Sequence, residues 1–326
     1  MKVKKPRFSK RYFYIALVAA VTIPIVIFPD RYLPSVSYGL NLFVLNVFPA
    51  LFPFFFFSTV LSGLNFGYDL GLVMKKPLKK LYNAPPVAGY VFVMSLLCGY
   101  PIGAKLLSDF YSDELITKEE AKSVASFAST SGPLFIVGTV GVTMLGDKTA
   151  GFVILISHYL ATVINGLIFR RRKSTEEKST LAPPVIDADG VLKKSMVSAL
   201  LSVAVVGGFI AVFNLVLDIC ADVKIIQYLS FPLIKCGVDK SLSEGIISAF
   251  IEITKGCLIV SKSGFPVKIT APVCALLITN GGLSVTMQSL AFLGKCKISP
   301  AYYLLFKATQ GILAFLICFL LSLLCL

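Results

Sequence analysis

The chain has 326 residues, 56% of them hydrophobic and only 15% charged, with a formal net charge of +14. A soluble domain carries about a quarter charged residues, so no water-soluble core hides this much apolar surface and lipid must solvate part of it. The basic excess does not mark a nucleic-acid partner: it clusters in short segments beside apolar runs (residues 2–11, 75–80 and 170–173), where it sets topology and meets anionic lipid.

Residues 12–28 form the first apolar run, near the 20 residues that cross a bilayer. A basic start followed by an apolar stretch has the look of a signal peptide. Pro29-Asp30-Arg31 stands where a small-residue cleavage site would be, so an uncleaved span is expected. With 2–11 on the cytoplasmic side, 29–37 is a turn outside and 40–64 returns. Lys75, Lys76, Lys79 and Lys80 then fall inside, as the positive-inside bias requires. Gly63-Leu64-Asn65-Phe66-Gly67 reads as a loop and not a phosphate cradle, since no strand precedes it.

The run 87–107 is broken by Cys98-Gly99-Tyr100-Pro101-Ile102-Gly103, and Lys105 lies just beyond. The polar stretch 108–122 contains Thr117-Lys118-Glu119-Glu120, the spacing of a capping box. The run 124–145 is interrupted by Ser129-Thr130-Ser131-Gly132-Pro133. Gly and Pro inside a spanning helix free backbone groups that hydrocarbon cannot satisfy, so such breaks survive only where protein or a wet cavity covers them. Two in succession predict a re-entrant hairpin beside a discontinuous helix. A span at 150–169 leads to the basic residues 170–173, placed inside, and a flexible cytoplasmic linker at 170–193. The second half holds a span at 196–217, a moderately apolar stretch at 239–263 around Glu252-Ile253-Thr254-Lys255-Gly256, and a run at 269–293 interrupted by Thr279-Asn280-Gly281-Gly282. A last span covers 302–326.

The halves repeat. A shift of about 149 residues lays Thr130-Ser131-Gly132-Pro133-Leu134 on Thr279-Asn280-Gly281-Gly282-Leu283 and Ala50-Leu51 on Ala199-Leu200. Because 40–64 runs inward and 196–217 outward, the two repeats are inverted. The expectation is an all-α polytopic transmembrane bundle of two inverted repeats with about seven full spans plus re-entrant segments. Residues 1–38 hold the basic segment and first span, 39–169 one repeat, 170–193 the linker and 194–326 the other. Inverted repeats with matching broken helices are the pattern of secondary transporters, with the site near the midplane.

The substrate-binding candidates follow from the breaks. Gly99, Pro101 and Gly103 open one helix; Gly132 and Pro133, Gly256, and Gly281 and Gly282 open the others. Half-helix N-termini favour an anion. Lys105 would add a full charge there, or else snorkel to the cytoplasmic surface. Ser131 and Thr130 can repair the broken backbone or bind a ligand; Tyr100 and Asn280 sit in the breaks, and Ser284 and Gln288 share a helix face. Glu252, beside Thr254, is costly in an apolar run unless paired or wet, so it either pairs with Lys255 or binds solute or proton. His158, the single histidine, reads as a hydrogen-bonded packing residue. No H-E-x-x-H, G-x-S-x-G or paired-carboxylate motif supports an enzyme. The eight cysteines form no C-x-x-C or Cys/His cluster, so no metal and no cofactor is expected.

Four segments together resemble the sporulation integral membrane protein YlbJ family: Asn46-Val47-Phe48-Pro49-Ala50-Leu51-Phe52-Pro53-Phe54, Gly99-Tyr100-Pro101-Ile102-Gly103-Ala104-Lys105, Thr130-Ser131-Gly132-Pro133-Leu134-Phe135-Ile136 and Gly281-Gly282-Leu283-Ser284-Val285. That family belongs to the nucleoside-recognition, or Gate, domain group, similar to concentrative nucleoside transporters and the membrane part of ferrous-iron transporters. The resemblance implies a multi-pass membrane protein needed for the endospore cortex, seated in the mother-cell-derived outer forespore membrane. It also implies transport of a small anionic solute such as dipicolinic acid; a coupling proton or cation is a separate expectation, for which Glu252 is the candidate. The alternatives are a nucleoside-type transporter and a non-transporting assembly factor for the cortex. Family members often carry His after Gly-Gly-Leu-Ser-Val; here Thr286 stands there, so a mechanism resting on that His does not carry over.

Overall fold

The computed structural model describes residues 10–170 and 188–326, and every regular element among them is a helix. The basic start and most of the expected linker (171–187) lie outside the described residues. An apolar chain in lipid must satisfy each peptide group within its own segment, and the helix is the open-chain way to do so.

The helices α1 (Lys10–Ile27) and α2 (Pro29–Leu42) meet at Phe28, and the axes of Tyr12–Ile27 and Pro29–Leu45 differ by 113°. The turn expected at 29–37 is therefore helix. Pro29 occupies the first helical position, where a missing N–H costs nothing and its fixed φ suits the helix. A π-helical segment, Phe43–Val47, joins α2 to α3 (Phe48–Gly63). Pro49 has no N–H to offer the preceding turn, and the ladder widens just before it. The basic lysines 75–80 lie on a helix, α4 (Phe66–Tyr82), which ends at Asn83 in the left-handed conformation.

The first pair of breaks lies among α5 (Ala88–Cys98), α6 (Ile102–Ser112), α7 (Lys118–Ala125) and a π-helical segment, Leu134–Met144. The predicted capping box is formed: Thr117 N–H donates to Glu120 Oε2 at 2.8 Å and Glu120 N–H to Thr117 Oγ1 at 3.2 Å. Then come α8 (Lys148–Ile168), α9 (Ala188–Asp222) and α10 (Ile225–Lys235). The second pair of breaks lies among α11 (Lys240–Ile251), α12 (Ile253–Ser261), α13 (Val267–Asn280) and α14 (Gly282–Leu293), and α15 (Pro300–Cys325) closes the described chain.

Four stretches are long and apolar enough to cross a bilayer: Lys148–Ile168, Gly190–Asp222, Val267–Leu293 and Pro300–Cys325. The bent α1/α2 pair makes a fifth if it counts as one span. This falls short of the seven expected, because the other apolar runs are divided into short helices. The centre is built by α8, α13 and α15. Phe169, just past the end of α8, meets Tyr302 near the start of α15 with ring centroids 5.7 Å apart, and Thr162 meets Gln310 further along. These two helices are therefore antiparallel. Ser322, near the far end of α15, donates to the Lys268 carbonyl at the start of α13, so α13 is antiparallel to α15 as well.

Candidate functional site

Each half folds its two breaks against one another. In the first, Gly99 ends α5 with φ +80°, and a Cβ there would sit 2.3 Å from the Gly132 nitrogen; one on Gly103 would sit 1.9 Å from the Ala128 carbonyl oxygen. The chain around Tyr100 thus lies directly on the non-helical segment that holds Ser131. In the second half, Gly281 and Gly282 separate α13 from α14, and a Cβ on Gly282 would meet the Ala249 carbonyl oxygen at 2.5 Å. Here the partner break is at Glu252 and not at Gly256. Gly256 lies inside α12, where its lack of a side chain lets α12 press on Ala249 of α11. Glu252 itself interrupts the helix: its backbone is extended, and its carboxylate takes the free N–H groups of Thr254 at 3.1 Å and Lys255 at 2.8 Å. It is an N-cap, and caps are stabilised by the positive end of the helix they start.

The freed backbone of the first break is satisfied by side chains from α8 and α15. Asn165 Nδ2 donates to the Ser126 carbonyl at 2.8 Å, and Lys307 Nζ to the Ser129 carbonyl at 3.0 Å. Ser131 N–H donates to His158 Nε2 at 2.9 Å, and the other ring nitrogen of His158 lies 2.7 Å from Thr279 Oγ1 of the second half. Tyr100 O–H donates to the Thr279 carbonyl at 3.1 Å. The two halves are thus stitched together at their breaks.

A cavity of about 90 Å³ opens where these breaks meet α3 and α9, several times the space one water needs. Much of its wall is apolar, with Leu51, Phe54, Phe135, Val206 and Ile210 among the lining residues. Its polar lining includes Tyr100, Ser131, Glu252, Thr254, Ser284 and Gln288, six of the nine substrate-binding candidates. Glu252 is buried, and Gln288 donates to Ser284 Oγ at 3.3 Å.

The remaining three lie off this cavity. Lys105 pairs with Asp109 at 3.1 Å on the outer part of α6. Thr130 turns away to donate to the Ser95 carbonyl at 2.6 Å. Asn280 borders a separate cavity with Phe250 and Thr286. Lys255 does not pair with the Glu252 carboxylate but with Asp218 of α9, which also accepts from Ser35 of α2 at 2.6 Å.

Three central residues are missing from the sequence candidates. His158 is set aside there as packing, and Lys307 and Gln310 are not singled out. A signal exists: Lys307 is a charge inside the apolar run 302–326, which marks a functional candidate by default. The shift that aligns the breaks also carries His158 onto Lys307.

The sporulation integral membrane protein YlbJ of Bacillus subtilis (strain 168) is 27% identical over 327 residues, covering 93% of this chain and 79% of that protein. The match supports assigning the chain to the YlbJ family. No family model and no solved structure matches it. The name of that relative, an integral membrane protein, agrees with the long apolar helices of this chain.

Proposed function

We propose that the protein is a sporulation membrane transporter, built from two inverted repeats, that carries a small solute through the cavity between its broken helices. One observation carries this reading: three helix interruptions and the first turn of α14, just past the fourth, line a cavity that holds a buried carboxylate. Burying a carboxylate in an apolar bundle is costly, and capping α12 asks only for a side-chain oxygen, which an uncharged Ser, Thr or Asn supplies as well. The antiparallel setting of α8 and α15, which are counterparts under the sequence repeat, supports the inverted arrangement. The name of the Bacillus subtilis relative supports the role in sporulation.

The substrate class proposed is a small anion, with dipicolinic acid as the compound to test, in the outer forespore membrane. A bare carboxylate would repel an anion, but Glu252 is engaged by two backbone N–H groups at the start of α12. The positive charge of Lys307 stands directly behind Tyr100, with Nζ to Oη at 2.6 Å. Glu252 is also the group best placed to carry a coupling proton.

The test is uptake by sealed vesicles holding the purified protein. Labelled dipicolinate should accumulate above empty vesicles. Glu252→Gln should lower the rate at least about tenfold, a change of about 1.4 kcal/mol, while still inserting into the membrane. Uptake of labelled uridine in place of dipicolinate would identify a nucleoside transporter. Uptake of neither would reject transport in favour of a cortex assembly factor.

A further inference from the structure

Lys307 is 1% exposed, and no carboxylate among the described residues lies within ion-pair distance of it. Three oxygens surround its Nζ instead: Tyr100 Oη at 2.6 Å, the Ser129 carbonyl at 3.0 Å and Gln310 Oε1 at 2.9 Å. Counting hydrogens fixes the direction of each bond. The single Tyr100 hydroxyl hydrogen goes to the Thr279 carbonyl, so Tyr100 accepts from Lys307. Ser129 offers a carbonyl, which only accepts. Thr162 spends its hydrogen on the His158 carbonyl at 2.8 Å, so it accepts from Gln310 Nε2 at 2.6 Å, and this turns Gln310 Oε1 toward Lys307. Three acceptors require three donors, and a lysine has three only as an ammonium.

The same count fixes the neighbouring histidine. Ser131 N–H donates to His158 Nε2, so that nitrogen carries no proton and the ring is neutral, with Nδ1–H directed at Thr279 Oγ1. The positive charge at this junction therefore belongs to Lys307. All its donors are engaged, which leaves none for a solute in the cavity.

The surroundings of Nζ are those of a bound monovalent cation. One ligand is a main-chain carbonyl freed by a helix break, and two are side-chain oxygens from other helices. Unwound carbonyls of this kind coordinate Na⁺ in broken-helix transporters, and carbonyl oxygens replace the hydration shell of K⁺.

We propose that the Lys307 ammonium is a resident cation that fills a monovalent-cation site between the broken helices, so that the protein binds no free Na⁺ there. The consequence for coupling rests on the transport reading above; the site itself does not. The tests accordingly read the stability of purified protein without substrate, and failed uptake leaves them intact.

The wild-type protein should melt at the same temperature in Na⁺, K⁺ and choline salts of equal ionic strength; stabilisation by Na⁺ alone would overturn the proposal. Lys307→Ala removes three methylenes and the ammonium, the outline of n-propylammonium. The variant should melt lower than the parent and regain about 2–4 °C with n-propylammonium or K⁺, since a ligand that binds only the folded state stabilises it. Neutral 1-propanol fills the same space without the charge and should restore nothing. Equal rescue by 1-propanol, or no rescue by either cation, would reduce Lys307 to packing. Should Lys307→Ala not be recovered folded, the wild-type comparison still decides.

Discussion

Asn165 shows how much of the break depends on single side chains. Its amide donates to the Ser126 carbonyl at 2.8 Å and to the Phe306 carbonyl at 3.1 Å, and its oxygen accepts from Thr309 at 2.7 Å. The Phe306 carbonyl lies inside α15 and keeps a helical partner, but Ser126 sits where α7 has ended. Asn165→Leu keeps the volume and removes the donor. It should cost about 1–3 kcal/mol, the penalty for an unsatisfied buried carbonyl, and within lipid the lower part of that range is expected. Denaturant titration in mild detergent measures it, and an unchanged midpoint would show that the break does not rely on this amide. Ser284 and Gln288 are legible from sequence because they follow an interruption, and Glu252 because a carboxylate is costly in an apolar run. His158, Asn165 and Lys307 lie within unbroken helices, and their meaning depends on partners far along the chain, such as Thr309 at a separation of 144 residues. Local pattern carries no record of such pairs.

At the scale of elements, the interruptions marked by Gly and Pro are readable in advance, because those residues change the backbone wherever they stand. The break at Glu252 has no such mark: an extended residue supplies its own cap, and only the finished geometry distinguishes it from a polar residue in a continuous helix. The bend at Phe28 and the π-helical segments are hidden for a similar reason, since prolines at a helix start and inside a helix look alike in sequence. Contact between breaks leads to a paired prediction. Gly103→Ala places a carbon 1.9 Å from the Ala128 carbonyl oxygen and 3.2 Å from the Ser95 Cβ, with no flexible side-chain end to yield. It should destabilise by more than about 3 kcal/mol, in the range of severe core overpacking. Gly208→Ala in α9 meets nothing within 4 Å and should be neutral or add about 0.5–1 kcal/mol through helix propensity. Melting curves of the two variants separate close packing from a general intolerance of the bundle to substitution.

For the whole molecule, the question is how the two halves are set in the bilayer. The sequence reading inverts them on the strength of its basic residues, yet the lysines 75–80 lie on a helix and residues 171–187 are outside the described chain, so charge alone is a thin argument. Packing gives an independent one. The end of α8 lies beside the start of α15, through Phe169 and Tyr302, and α15 then runs back along α8, past Asn165 at Thr309 and Thr162 at Gln310. Both helices are long enough to cross a bilayer. Arg170 and Leu326 must then emerge on opposite faces, whatever the shorter helices do. A reporter inserted after Arg170 should be active on the cytoplasmic side, where its basic neighbours hold it. The same reporter fused after Leu326 should be active on the other side. Both reporters on one face would mean that α8 and α15 do not both span, and the cavity between their breaks would lose the opposed frame on which alternating access depends.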